Sequence, residues 1–273
     1  MKKSLVILVV ALLSCSYSVY GQSFKSVFRK ALDEKDLAKA EKILRDWDLA
    51  DANDAELYVS YFNFYTLKSR EKDSTNYDRE YVQEALDFIS EGIERFPTRL
   101  DMRLGKIYML EKLKDYDAFT NDILSLIRYS KKIENNWKGE DFRLVERPDE
   151  MLYGAVQDFL GKIFVKDDTA LDEKVITISE EMLRHYPNHT QSLLNISTVN
   201  IKRKDFDKSL EALLKANKIK PDDSILNYNI AYVYQEKGDK ENAKKYYKLT
   251  VDNANEKEKR LKEAAQKQLD GLK

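Results

Sequence analysis

The sequence predicts an all-α fold, an α-solenoid of about six helix pairs that ends in a capping helix. Three observations support this prediction. The 273 residues include only 8 Gly and 4 Pro, a balance that favours helices over a turn-rich all-β fold. Two consecutive blocks of equal length, Asn188–Pro221 and Asp222–Asn255, repeat the same apolar spacing. Apolar residues at helical spacing also continue through most of the remaining chain.

The two blocks match each other position by position. In the first block the repeated places hold Leu193, Ile196, Ser197, Asn200, Ser209, Leu213, Ala216 and Pro221. In the second block they hold Asn227, Ile230, Ala231, Tyr234, Ala243, Tyr247, Thr250 and Asn255. This spacing resembles the tetratricopeptide repeat (TPR), a helix–turn–helix unit of about 34 residues. The resemblance implies a right-handed superhelix of antiparallel helix pairs, in which the first helix of each pair lines a concave groove.

Weaker copies of the pattern precede these two blocks. The third unit rests on Leu104-Gly105 with Tyr108, and the fourth on Leu160-Gly161 with Phe164. A helix with Leu261, Ala265 and Leu269 on one face follows the last unit and looks like a solvating cap. The predicted organisation is a signal peptide over 1–21, N-terminal TPR-like units over 22–131, an irregular inserted linker over 132–151, C-terminal TPR units over 152–255 and a capping helix over 256–273.

The N-terminus has the pattern of an export signal. Lys2 and Lys3 precede an apolar run that is too short to span a bilayer, and cleavage before Gln22 is the favoured processing site. The alternative is a lipoprotein, because Leu12-Leu13-Ser14-Cys15 resembles a lipobox and Cys15 would then carry the lipid. We therefore expect an exported protein, periplasmic or secreted, with an outer-membrane lipoprotein as the alternative.

Composition argues against nucleic-acid binding and catalysis. The formal net charge is -1, so no overall basic field attracts a polyanion. The two histidines, His185 and His189, are separated by Pro187 and lack the spacing of a helical zinc pair. The chain has no glycine-rich phosphate loop and no serine nucleophile elbow. We predict a protein without catalytic activity, cofactor or metal.

The resemblance indicates where a ligand would bind. On the first helices of the first and third units it places five basic residues in the groove: Lys25, Arg29, Arg99, Arg103 and Lys106. Related domains clamp a peptide carboxylate with such cations and asparagines. Here Arg29 and Ser60 occupy the asparagine places, so that particular clamp is not reproduced.

The last two units present a different groove surface. Asn195 and Asn229 occupy equivalent places, where an amide can bond the backbone of an extended peptide. Tyr228 and Tyr232 add rigid contact area beside them. Amides without charge suit a neutral or glycan ligand as well as a peptide.

The sequence therefore predicts a non-catalytic exported scaffold that binds a peptide segment of another envelope or secreted protein in its concave groove. The alternatives are a lipid-anchored component of envelope assembly and a glycan- or substrate-handling protein. Charge reversal at Arg99 and Arg103 is expected to weaken partner binding without unfolding the protein, since groove residues contribute little to repeat packing. Whether residues 132–150 fold onto the groove as an internal ligand stays open.

Overall fold

The fold is all-α, as the sequence predicts. A computed structural model describes residues 23–70, 76–164, 166 and 168–272. Within these residues, thirteen α-helices pack as consecutive pairs in a TPR-like solenoid. The helices are α1 (23–33), α2 (Leu37–Ala50), α3 (Ala55–Lys68), α4 (Arg79–Arg95), α5 (Leu100–Lys112), α6 (Tyr116–Lys132), α7 (Pro148–Phe164), α8 (Thr169–His185), α9 (Thr190–Lys202), α10 (Phe206–Ile219), α11 (Ser224–Glu236), α12 (Lys240–Asn253) and α13 (Lys259–Gly271).

The chain forms two compact units. Unit 1 comprises Met1–Asp122 and Lys132–Met151, and unit 2 comprises Ile123–Lys131 and Leu152–Lys273. The predicted linker, 132–151, belongs to unit 1, and α7 begins inside it at Pro148. The predicted signal peptide and Cys15 lie outside the described residues. None of the described helices combines the length and the hydropathy that crossing a bilayer requires.

Each unit has its own apolar core. In unit 1, Trp47 is fully buried with Leu44 and Phe64, and a second cluster surrounds Ile89 and Met102. In unit 2, one core cluster is built on α9, α10 and α11 and a second one on α11, α12 and α13. The second cluster buries Ala265 of α13, whose remaining side chains are largely charged. This is the arrangement expected of a helix that caps an array of repeats.

The third unit shows where the sequence register is wrong. The repeat pattern assigns Leu104, Gly105 and Tyr108 to packed positions, but Tyr108 is 47% exposed and the other two are partly exposed. Ile107 and Leu110, two residues after Gly105 and Tyr108, are among the residues of α5 that are buried. The repeat register of α5 therefore lies about two residues later than the Leu-Gly match predicts. Contacts with the neighbouring helices determine which residues of α5 are buried. Gly161 in α7 is likewise exposed, so the fourth unit is also out of phase with its Leu-Gly pair.

The turns within four of the pairs share one backbone conformation. A residue with positive φ follows the first helix, and an aspartate that caps the second helix follows it. The left-handed residues are Lys35, Lys114, Lys204 and Gly238, with φ between 58° and 79°. In each turn two backbone amides bond back to carbonyls of the last helical turn, as in a Schellman motif. Glycine adopts this conformation without steric cost, whereas lysine does not.

Replacing Lys204 with glycine should raise the free energy of unfolding by about 1 kcal/mol, because φ of 58° strains a side chain that glycine lacks. Gly238→Lys should lower it by about the same amount, although open space surrounds the position. Urea denaturation of both variants provides the measurement. Lys215→Gly is the control, since glycine in the interior of α10 should cost about 1 kcal/mol. A change of the same sign at Lys204 and Lys215 would contradict the conformational explanation.

Candidate functional site

Arg99 does not face an open groove, so its predicted role as an accessible ligand-binding residue is wrong. The side chain is fully buried at the start of α5. Its Nε donates to Asp101 Oδ1 over 2.8 Å, and its Nη2 donates to Glu56 Oε1 over 2.7 Å. Burial opposes the charged guanidinium, but the hydrogen bonds and charges of Asp101 and Glu56 outweigh it and raise the pKa of Arg99. Arg99 is therefore the centre of a buried ion-pair cluster.

Most of the other predicted basic residues of unit 1 contact acidic or aromatic side chains. Lys25 pairs with Glu56 and, over 3.0 Å, with Glu140. Lys106 Nζ lies 3.1 Å from Asp122 Oδ2. The Arg103 guanidinium lies 5.6 Å from the ring centre of Trp137. Among these five predicted basic residues, Arg29 is the one that is exposed.

The segment that covers this basic cluster is residues 133–147, which we call the hairpin. Lys138 pairs with Leu144 in an antiparallel bridge within the hairpin, and with Arg99 in a parallel bridge. The Leu100 amide donates to the Lys138 carbonyl over 3.1 Å, and the Lys138 amide donates to the Thr98 carbonyl over 2.9 Å. The hairpin thus adds an extended segment to the N-terminal end of α5. The hairpin therefore occupies the place where the sequence predicts an open groove.

In unit 2 the predicted groove residues divide into two groups. Asn195 is buried and exchanges two amide hydrogen bonds with Gln157, at 3.1 and 3.3 Å. Its amide therefore joins α9 to α7 and is not available as predicted. Gln191 also donates to Asn195 Oδ1, over 3.3 Å.

The remaining three predicted residues, Tyr228, Asn229 and Tyr232, are partly exposed on α11. The Tyr228 ring packs edge-on against Tyr247, with centroids 5.5 Å apart. Burial raises the pKa of Tyr232, so its hydroxyl stays protonated. These residues present aromatic surface, and the structure leaves their binding role as a prediction.

A cleft lies in unit 2, at the N-terminal ends of α9 and α11, where the sequence predicts no site. Its volume is about 710 Å³. The lining residues are Tyr153, His185, Tyr186, Pro187, Asn188, His189, Thr190, Gln191, Leu194, Lys220, Asp223 and Ile225. They come from α7, the end of α8, the α8–α9 turn, α9, the α10–α11 turn and α11. The cleft is therefore assembled from parts of three helix pairs.

An aromatic cluster forms one wall of this cleft. The Tyr153 ring lies 4.6 Å from the His189 ring and packs edge-on against Tyr186 at 5.3 Å. His189 Nδ1 lies 2.8 Å from the Ser192 hydroxyl. Burial and then the charge of Lys220 lower the pKa of His189. The imidazole is therefore neutral at physiological pH and serves as part of an apolar wall.

The start of α9 gives the cleft its polar character. His189 precedes the helix without a side-chain capping bond. Among the described residues, no group accepts a hydrogen bond from the amides of Thr190 and Gln191. Both residues line the cleft. These two donors can satisfy a carbonyl or carboxylate oxygen. In the described part of the chain, no cluster of three or more His, Cys, Asp or Glu residues could hold a metal ion.

Two segments of the chain, which correspond to α9 to α12, match a known protein family. Residues 190–223 and 225–257 match the tetratricopeptide repeat family. These two helix pairs are tetratricopeptide repeats. A search of curated proteins found no match.

Several solved structures are similar to this chain at low sequence identity. YrrB, a TPR protein with an unusual peptide-binding site, is 15% identical with a TM-score of 0.44, covering 82% of this chain and 97% of its own. The type IV pilus biogenesis factor PilW is 10% identical with a TM-score of 0.41, covering 85% and 92%. MamA is 13% identical with a TM-score of 0.33, covering 87% and 92%.

The organisation in helix pairs relates the hairpin to the cleft. Leu100 and Thr190 each begin the first helix of a TPR-like pair, and the residue before each lacks a side-chain capping bond. In unit 1 the amide of Leu100 donates to the main chain of the hairpin. In unit 2 the corresponding amide, that of Thr190, belongs to a residue of the cleft. The same part of a first helix, its N-terminal end, is therefore covered by the hairpin in unit 1 and lies in the open cleft in unit 2.

Proposed function

We propose that the protein is a peptide-binding TPR scaffold whose unit 2 cleft holds an extended segment of a partner protein. The observation that carries the proposal is the open cleft at the N-terminal ends of α9 and α11. It combines an aromatic and aliphatic wall with unpaired main-chain donors, the two properties that a peptide site requires.

The apolar wall suits a large side chain of the partner segment. Ile225 at the start of α11 is 48% exposed, and Leu194 lies beside it in the cleft. The Tyr153 ring and the neutral imidazole of His189 complete the surface. An aromatic or branched aliphatic side chain placed there would bury apolar area against rigid rings.

The polar side of the cleft suits the main chain or the C-terminus of the same segment. The amides of Thr190 and Gln191 would donate to a carbonyl or a terminal carboxylate. Lys220 lies close enough to lower the pKa of His189, so its positive charge acts on the same space. An oxygen of the ligand would therefore meet both main-chain dipoles and a cation.

The test is a selection of random linear peptides, displayed on phage, against the full chain. We expect enrichment of peptides that carry an aromatic or aliphatic anchor. Ile225→Asp and Lys220→Glu should weaken binding of these peptides by about ten-fold or more, since each removes a central contact. Fluorescence anisotropy with synthetic copies of the selected peptides gives the affinities.

Two neighbouring residues supply matched controls. Ile219 and Lys218 are exposed on α10 and lie outside the cleft. Ile219→Asp and Lys218→Glu make the same chemical changes and should leave the affinity unchanged. The proposal fails if no peptide is enriched, or if the control substitutions weaken binding as much as those in the cleft.

We also propose that this scaffold is exported and that its partner is an envelope or secreted protein. The support is the sequence of residues 1–21, with two lysines before a short apolar run. The intact mass of the protein purified from its native cell would decide the form. A mass that begins at Gln22 supports export without an anchor, an acylated N-terminus at Cys15 supports the lipoprotein, and an uncleaved chain would remove both.

A further inference from the structure

We propose that unit 1 contains a second peptide-binding site and that the hairpin, residues 133–147, is its internal ligand. The site would accept an extended acidic and aromatic segment of another protein in place of the hairpin. This inference concerns a different unit from the proposed cleft and stands on different contacts.

The hairpin binds unit 1 as a peptide strand would. Two main-chain hydrogen bonds join Lys138 to the segment that leads into α5, one from Leu100 and one to Thr98, at 3.1 and 2.9 Å. Main-chain pairing of this kind carries no requirement for a particular sequence. Any extended segment could therefore make the same two bonds.

Three side chains of the hairpin provide the specificity. Trp137 is fully buried, with the Arg103 guanidinium 5.6 Å from its ring centre. The Phe142 ring covers Arg99 at 5.2 Å and packs edge-on against Phe96. The Glu140 carboxylate lies 3.0 Å from Lys25 Nζ. The pattern that the site recognises is thus Trp-x2-Glu-x-Phe.

The hairpin is an imperfect ligand in two respects. It contains four of the seven described non-glycine residues with positive φ: Glu134, Asn135, Phe142 and Arg147. This backbone conformation is unfavourable for three of the four, since asparagine tolerates it. It also leaves Arg99 Nη1 buried without a hydrogen-bond partner among the described residues. A segment that is unstrained and offers an oxygen to Nη1 would be preferred over the hairpin.

The outer side of the hairpin is open to a competitor. Leu144 is 62% exposed and Phe142 is 43% exposed. Only Trp137 of the three specific side chains is fully buried. A competing segment could therefore replace the contacts of Glu140 and Phe142 first and that of Trp137 last.

The experiment uses the full chain carrying Trp137→Ser, Glu140→Ser and Phe142→Ser together, and a fluorescent synthetic peptide of residues 134–146. Anisotropy should show the variant binding the peptide at least about ten-fold more tightly than the parent, because the parent site is already filled. A peptide with serine in place of Trp137 should not bind. Equal affinity of variant and parent for the unaltered peptide would overturn the proposal.

A second variant covers the case in which the triple variant does not fold, as circular dichroism would reveal. Glu140→Ser with Phe142→Ser retains the buried Trp137. This variant should also bind the peptide more tightly than the parent does, by a smaller factor than the triple variant. Hydrogen exchange of the parent gives an independent readout. The amides of Leu100 and Lys138 should exchange faster than those of Ile107 and Leu110 in the core of α5. Equal exchange would show that the hairpin leaves only on unfolding and would contradict the proposal.

The two sites can be separated by adding Ile225→Asp to the triple variant. Unchanged affinity for the peptide locates binding in unit 1, as proposed. A loss of affinity would place the peptide in the unit 2 cleft, which would overturn the present inference and support the proposed function.

Discussion

Replacing Arg99 with glutamate should destabilise unit 1 by about 3–5 kcal/mol, the usual cost of removing one partner from a buried ion pair. The guanidinium is fully buried and donates to both Glu56 and Asp101. Glutamate at this position would bring a third carboxylate next to those two, and the single charge of Lys25, which pairs with Glu56, cannot neutralise all three. The change therefore adds repulsion to the loss of the hydrogen bonds.

Urea denaturation followed by tryptophan fluorescence would measure this effect, since both Trp47 and Trp137 are buried in unit 1. Arg29→Glu is the matched control. Arg29 is exposed on α1, so its reversal should change the free energy of unfolding by less than about 0.5 kcal/mol. Should Arg99→Glu unfold at the same urea concentration as Arg29→Glu, the buried cluster would not stabilise the unit. The sequence expectation, that reversal at Arg99 spares the fold, would then hold.

The all-α architecture could be predicted because its signals are local. Aspartates such as Asp205 and Asp239 precede the second helices and accept from amides in their first turns. The apolar spacing in 190–257 then fixes which face of each helix is buried. Both signals lie within a few residues of the structure they determine, so no knowledge of distant contacts is needed.

The register of α5 could not be read in the same way. Leu104-Gly105 matches the repeat consensus as letters, but a side chain at Gly105 would make only an ordinary contact, 3.6 Å from Phe62. The close approach in this region is at Gly92 of α4, where an added Cβ would lie 2.8 Å from Tyr58 Cβ. Which glycine needs to be small depends on the neighbouring helix, and this information is not local.

The candidate sites were missed for a related reason. Arg99 donates a hydrogen bond to Glu56, which lies 43 positions earlier in the sequence. The Leu100 amide donates to Lys138, which belongs to a segment without helical periodicity. The buried Trp137 was the available signal, because a tryptophan in an aperiodic polar segment must find apolar surface elsewhere. In unit 2, Asn195 was correctly placed on α9, but its pairing with Gln157 was not foreseen. Sequence reasoning located the polar residues and could not tell which of them were already bonded.

Replacing Ala243 with leucine should lower the free energy of unfolding of unit 2 by about 1–3 kcal/mol, because three added carbons have no room in a filled core. Ala243 is fully buried, and its core cluster also contains Ala231, Ala265 and Tyr247. Tyr247 cannot easily move aside. Its hydroxyl bonds Gln235 over 2.8 Å, and its ring packs edge-on against Tyr228.

Lys248→Leu separates this effect from a general effect of leucine on α12. Lys248 is exposed on the same helix, so leucine there should change the stability by less than about 0.5 kcal/mol. Thermal unfolding of the two variants and the parent makes the comparison. If Ala243→Leu melts with the parent, the helices do not approach closely at Ala243. The TPR register that assigns a small residue to this position would then be wrong for the last pair, and so would the surface of α11 that lines the cleft.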